Sequence, residues 1–207
     1  MKLFLASQAK HPATIKKMGE YVGGFQGKNL AYIPTAANGE SAWESWKEGE
    51  SWKLVNTLGA LVRPVQLEGQ RPATALEALK DADLIWMAGG ACGYLMYWLR
   101  RMKLDTHIKK LLERSIYIGS SSGSMITSAH LATAEWCPGE EEYGASIIPG
   151  LGLVDFDIYP HYFEEDLTTI KQHYKGNKLY MLKDGEEIIV EDGKVAVIGQ
   201  ERIFTPV

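Results

Sequence analysis

Short apolar runs alternate along this chain with longer segments whose apolar residues recur at helical spacing. Leu3–Ala6, Leu30–Ile33, Val62–Leu67, Leu84–Ala88 and Ile116–Gly119 are continuous apolar runs bounded by turn formers, the pattern of buried strands. Between them, His11–Gly23 carries Ile15, Met18, Tyr21 and Val22 on one helical face and stops at Gly23-Gly24. Ser41–Leu58 reads as one tryptophan-rich amphipathic helix with Trp43, Trp46, Trp52 and Leu54, most of the indoles being core. Pro72–Ala82 and Tyr94–Arg114 read as two further helices, the second a long one. Strands alternating with helices of this length predict an α/β fold. Its sheet is doubly wound and mostly parallel, with helices on both faces.

Past residue 135 the character changes. Glu135–Gly152 is loop-like, with Pro138, Gly139, Pro149, Gly150 and the run Glu140-Glu141-Glu142, read here as a solvated acidic loop. Leu151–His161 is strand-like and ends in Pro160-His161; Glu164–Tyr174 is helical; Leu179–Leu182 is a strand running into Lys183-Asp184-Gly185. Glu187–Val190 and Val195–Ile198 form a C-terminal β-hairpin around Glu191-Asp192-Gly193-Lys194, and a last strand leaves through Ile203 and Phe204.

Composition narrows the function classes. With 207 residues and 45% hydrophobic content the chain can bury a sizeable core, and we expect one domain over residues 1–207. A net charge of −4 with well-mixed signs offers no basic patch for nucleic acid or an anionic membrane. Met1–Ser7 is too short an apolar run for a signal peptide, and no later run would span a bilayer, so the expectation is a soluble cytoplasmic protein. Cys92 and Cys137 lie far apart and the five histidines are scattered, which fits neither a disulfide framework nor a cysteine-rich zinc site.

The candidate chemistry centres on Ile116–Met125. Here a strand ends in Gly119-Ser120-Ser121-Ser122-Gly123, and a helix-compatible segment, Met125–Ala134, follows. Small residues on both sides of a serine permit the sharp strand-to-helix turn of a nucleophile elbow, where bulkier ones would clash. Ligands in open α/β sheets sit beyond the carboxyl ends of the strands. Three other strand ends carry suggestive groups: Gly89-Gly90, Pro160-His161 and Asp184-Gly185. A serine hydroxyl needs a base, and the imidazole needs an acceptor, so Ser121, His161 and Asp184 form a candidate triad. Backbone N–H groups at Gly90 and Ser122 are candidates for an oxyanion hole, with Gly89 and Ala91 beside them for substrate binding. No metal site is expected: His161 with Glu164 or Glu165 lacks a second histidine at ligand spacing. Neither cysteine sits at an elbow, so the thiols read as buried and inert.

These pieces, in this order, resemble the peptidase E (aspartyl dipeptidase) and cyanophycinase family of serine peptidases. The likeness rests on Met87-Ala88-Gly89-Gly90, Gly119–Gly123, Pro149-Gly150-Leu151-Gly152-Leu153, Pro160-His161 and Leu182-Lys183-Asp184-Gly185. It implies a fold related to class I glutamine amidotransferases, with Ser121 as nucleophile, His161 as base and Asp184 as third member (Asp157 being the fallback). It further implies oxyanion donors at Gly90 and Ser122, no cofactor, and a short peptide as the partner of a monomer or homodimer. Three positions depart from the family pattern. Ser122 replaces an alanine, Ala91-Cys92 follows the glycines where asparagine is usual, and Asp184 stands where peptidase E has Glu-Gly. Aspartate specificity is not carried over, because Arg100 and Arg101, the nearby cations, read as exposed helix residues. A small-molecule esterase of the α/β-hydrolase type shares Gly-x-Ser-x-Gly, but those enzymes run serine, acid, histidine. The non-enzyme alternative is an inactive, ligand-binding member of the fold.

Overall fold

A computed structural model describes residues 1–40, 45–137 and 141–206. The central sheet has seven strands, which we number in chain order. β1 is Lys2–Ala6, β2 Asn29–Ile33, β3 Leu61–Pro64, β4 Leu84–Met87 and β5 Ile116–Ser120. A smaller sheet holds β6, Asp157–Tyr159, β7, Leu179–Met181, and β10, Ile203–Phe204. β8, Glu187–Glu191, and β9, Lys194–Ile198, return to the large sheet, whose order is β3-β2-β4-β5-β1-β8-β9. β3, β2, β4, β5 and β1 run parallel, and the β8–β9 hairpin joins β1 antiparallel.

Period-two alternation divides the apolar runs between two cores. Leu3, Leu5, Ile85, Met87 and Tyr117 point to one face of the sheet. There they meet α3 (Pro72–Leu79), α4 (Cys92–Arg101) and α5 (Leu104–Leu111). Phe4, Ala6, Tyr32, Trp86 and Ile118 point to the other, against Met18 and Val22 of α1 (Pro12–Val22) and Val55 of α2 (Glu50–Val55). A strand buried on both faces has no polar alternation, which is why these runs are continuously apolar. The predicted doubly wound architecture is the one observed.

Several element lengths differ from the sequence reading. The single helix expected over Ser41–Leu58 is broken: residues 41–44 lie outside the described residues, and Trp46–Glu48 is a 3₁₀ turn that starts on Ser45. Gly49 is then extended (ψ 143°), and α2 begins after it. The long Tyr94–Arg114 helix is two, because Lys103 adopts φ 58°. That reversal lets Met102 and Leu104, both buried, face one core. The third strand stops at Pro64 rather than Leu67. Instead of one helix over Met125–Ala134 there are two short ones, α6 (Ser122–Met125) and α7 (Ala132–Trp136). Of Leu151–His161 only β6 is strand, and the helix expected from Glu164 starts with a 3₁₀ turn before α8 (Leu167–His173). No helix among the described residues is long and apolar enough to cross a membrane.

The register sets Met87, Gly119 and Leu5 side by side, so β4, β5 and β1 end together at one edge. At that edge α6 is pressed onto β4. A Cβ on Gly123 would lie 2.3 Å from the Met87 carbonyl oxygen and 2.9 Å from its carbonyl carbon, both backbone atoms with nowhere to go. Gly123→Ala should therefore lower the unfolding free energy by roughly 1–3 kcal/mol, the usual cost of overpacking, as read from urea denaturation.

Candidate active site

The elbow forms where β5 meets α6. Ser121 sits there at φ 49°, ψ −117°, a conformation that costs an L residue on the order of 1–3 kcal/mol. The turn is pinned from several sides. The Ser121 N–H donates to the carbonyls of Ala6 (3.1 Å) and Ser7 (3.0 Å), and the Ser124 hydroxyl donates to Ala6 (2.8 Å). Tyr117, fully buried in β5, donates its hydroxyl to the Gly123 carbonyl at 2.6 Å. Ser121 Oγ is buried and has no hydrogen-bond partner among the described residues.

His161 follows β6 and Pro160, also at positive φ (54°), and Asp184 follows β7. Their side chains meet: His161 Nδ1 lies 2.6 Å from Asp184 Oδ1. An ionised carboxylate only accepts, so Nδ1 carries the proton and Nε2 is left as the basic nitrogen. Asp184 also accepts from Ser7 Oγ (2.8 Å) and Gln8 Nε2 (2.9 Å). Ser7 Oγ in turn accepts the His161 backbone N–H at 2.8 Å, so one hydroxyl at the end of β1 ties both partners together. Burial pushes the Asp184 pKa up. The hydrogen bond and charge of His161, with help from Ser7 and His11, outweigh that and hold it below the ordinary carboxylate value.

Ser121 and His161 line one cleft of about 200 Å³ together with Gly89 and Gly90. Gly90 has φ 133°, and a Cβ there would sit 2.3 Å from the Ala36 carbonyl oxygen, so only glycine lets this loop pack so close. The other predicted site residues fall as follows. Ser122 opens α6, where first-turn N–H groups have no intrahelical acceptor. Ala91 spends its N–H on the Ala36 carbonyl (3.0 Å) and caps α4. Asp157 lies elsewhere: it accepts from the Tyr174 hydroxyl (2.8 Å), and burial raises its pKa. Arg100 donates to the Pro149 carbonyl and Arg101 covers the Trp98 ring; neither lines the cleft. Both cysteines are buried and neither is in a disulfide among the described residues, which hold no group of three metal-ligating side chains.

Sequence reasoning missed two kinds of residue. Ser7 and Gln8 sit just after a buried strand, a position that marks a site edge in parallel sheets but carries no motif. Glu142, read as solvated, is half-buried instead. Its carboxylate accepts the N–H groups of Cys92 and of Gly93 (2.7 Å), capping α4 directly behind the glycine loop. Burial raises the Glu142 pKa against the lowering effect of those two N–H groups. Glu140 lies outside the described residues.

The chain as a whole is similar to known proteins. The sequence model of peptidase family S51 matches residues 3–198. An uncharacterized peptidase of Listeria monocytogenes serovar 1/2a is 28% identical over 200 residues, covering 93% of this chain and 96% of that one. Peptidase E of Nostoc sp. is 26% identical over 190 residues, covering 86% of this chain and 75% of that one. A crystal structure from Listeria monocytogenes EGD-e, assigned to peptidase E, superposes with a TM-score of 0.79. It is 26% identical and covers 95% of this chain and 97% of its own. With a match that runs from β1 to the end of β9, the chain belongs to peptidase family S51.

Proposed function

We propose that this chain is a serine peptidase that hydrolyses short peptides, dipeptides among them, through Ser121, His161 and Asp184. The observation that carries this reading is the 2.6 Å His161–Asp184 pair on the same cleft as a strained, buried Ser121. In the first step Ser121 Oγ attacks the scissile carbonyl carbon while its proton passes to His161 Nε2. The Gly90 and Ser122 N–H groups take the negative charge that develops on the carbonyl oxygen. Collapse breaks the C–N bond, the amine leaves with the proton from His161, and an ester to Ser121 remains. Water, deprotonated by His161, then releases the acid and restores the serine. Asp184 holds the imidazole in the required tautomer and offsets its positive charge in between. A small cleft and relatives named peptidase E both favour short substrates. The chemistry calls for no cofactor.

Two variants test this reading. A fluorophosphonate should add once to the wild-type chain and not to Ser121→Ala, as read by intact mass; an unlabelled, well-folded wild type would remove the acyl-enzyme reading. Asp184→Asn should lower kcat by about 10²- to 10⁴-fold through loss of the tautomer. The attraction that depresses Asp184 is mutual and favours the charged imidazole. Removing it should shift the acid limb of kcat/KM to lower pH, and a limb that stayed or rose would separate Asp184 from the base.

A further inference from the structure

One residue outside the candidate triad is hydrogen-bonded to all three of its members. Ser7, fully buried where β1 ends, accepts the Ser121 N–H on its carbonyl at 3.0 Å. Its hydroxyl oxygen accepts the His161 N–H at 2.8 Å, and its O–H donates to Asp184 Oδ1, also at 2.8 Å. The O–H must point that way, since an ionised carboxylate has no proton to give. The Ser7 N–H donates to the Glu186 carbonyl at 3.1 Å, on the turn that carries Asp184. His161 needs such a holder. With φ at 54° its backbone sits where an L residue stays only if its surroundings fix it.

The shared acceptor gives the hydroxyl a second effect. His161 Nδ1 and Ser7 Oγ both donate to the same carboxylate oxygen, at 2.6 and 2.8 Å, while Gln8 donates to the other. A donor on Oδ1 draws off part of the negative charge that would otherwise act on the imidazole. The Ser7 bond is among the causes that hold Asp184 below its ordinary pKa, and a less basic carboxylate stabilises an imidazolium less. Other charges stand nearby: His11 beside Asp184, and Lys10, Glu40 and Glu50 along the cleft with His161. A change at Ser7 leaves all of them in place.

We infer that Ser7 is a positioning residue for the base: its hydroxyl holds the His161 backbone against the end of β1 and limits the charge that Asp184 Oδ1 presents to the ring. The inference rests on the serine-peptidase reading above for what the base does to Ser121. Ser7 is fully buried and does not line the cleft, so it acts through its partners.

The test follows the His161 ring itself, by histidine-ring NMR titration of the full-length chain. His161→Gln marks which of the five histidine signals belongs to it. Ser7→Ala removes the hydroxyl, and Ser7→Cys restores its volume with only a weak donor and acceptor. Both should raise the His161 titration midpoint by roughly 0.3–1 pH unit, within the reach of one hydrogen bond. Above that midpoint both should slow fluorophosphonate labelling of Ser121 by roughly 10- to 100-fold, the cost of a base displaced by up to about an ångström. A midpoint that stays or falls in folded variants overturns the inference, and a raised midpoint with unslowed labelling overturns the positioning role. A cysteine variant that behaves like wild type reduces Ser7 to packing and overturns it as well, as does loss of the fold in both variants, read by urea denaturation. Labelling of the wild type is scored separately. A wild type that takes no label removes the peptidase reading, while a midpoint raised in both variants still supports the hold of Ser7 on the His161–Asp184 pair.

Discussion

Everything at the site depends on one backbone reversal, the positive-φ turn at Ser121. Such a turn holds only when its surroundings over-determine it. Here both neighbours of β5 contribute. β1 accepts the Ser121 N–H and the Ser124 hydroxyl on its terminal carbonyls, and β4 presses its Met87 carbonyl against the bare Cα of Gly123. The buried Tyr117 hydroxyl closes the loop on itself from within the same strand. Small residues around the serine thus answer a geometric demand: the elbow occupies the gap between two strands one spacing away on either side.

A second layer of constraint is electrostatic. Around Asp184 three donors converge on one carboxylate that remains partly open to solvent, and Ser7 links that carboxylate to the backbone of His161. Charge-assisted hydrogen bonds of this kind fix direction as well as energy, which is what an imidazole needs to present one nitrogen consistently. Beside the cleft, Lys10 is met by Glu50 and the α4 N-terminus by Glu142, each a carboxylate from a distant part of the chain.

What the sequence made legible follows from range. Continuous apolar runs are set by burial on both faces, so the five parallel strands and the doubly wound fold could be read directly. Ser121, His161 and Asp184 stood out because each ends a strand within a recognisable local pattern, and the latter two meet in space. Helix lengths were misread where one residue changes the backbone: extended Gly49, and Lys103 in a left-handed turn that no propensity scale favours for lysine. Ser7, Gln8 and Glu142 escaped because their partners are far away in the chain. Ser7 meets Asp184 across 177 positions and Glu142 meets Gly93 across 49, and ordinary polar residues give no local sign of such contacts.

The place of β1 in the sheet has a temporal consequence. The first strand is an interior one, flanked by β5 on one side and β8 on the other. Its end supplies Ser7 and the carbonyls that hold the elbow, yet its second neighbour arrives only with Glu187–Glu191. Pairings of such sequence separation are late events, since their loops must close first. A chain emerging from the ribosome can therefore carry the elbow sequence long before it can build the pair of His161 and Asp184 against it. On the function proposed above, hydrolytic competence would be withheld until Asp184 has been made. In this topology a strand made late, β8, completes the support of the first.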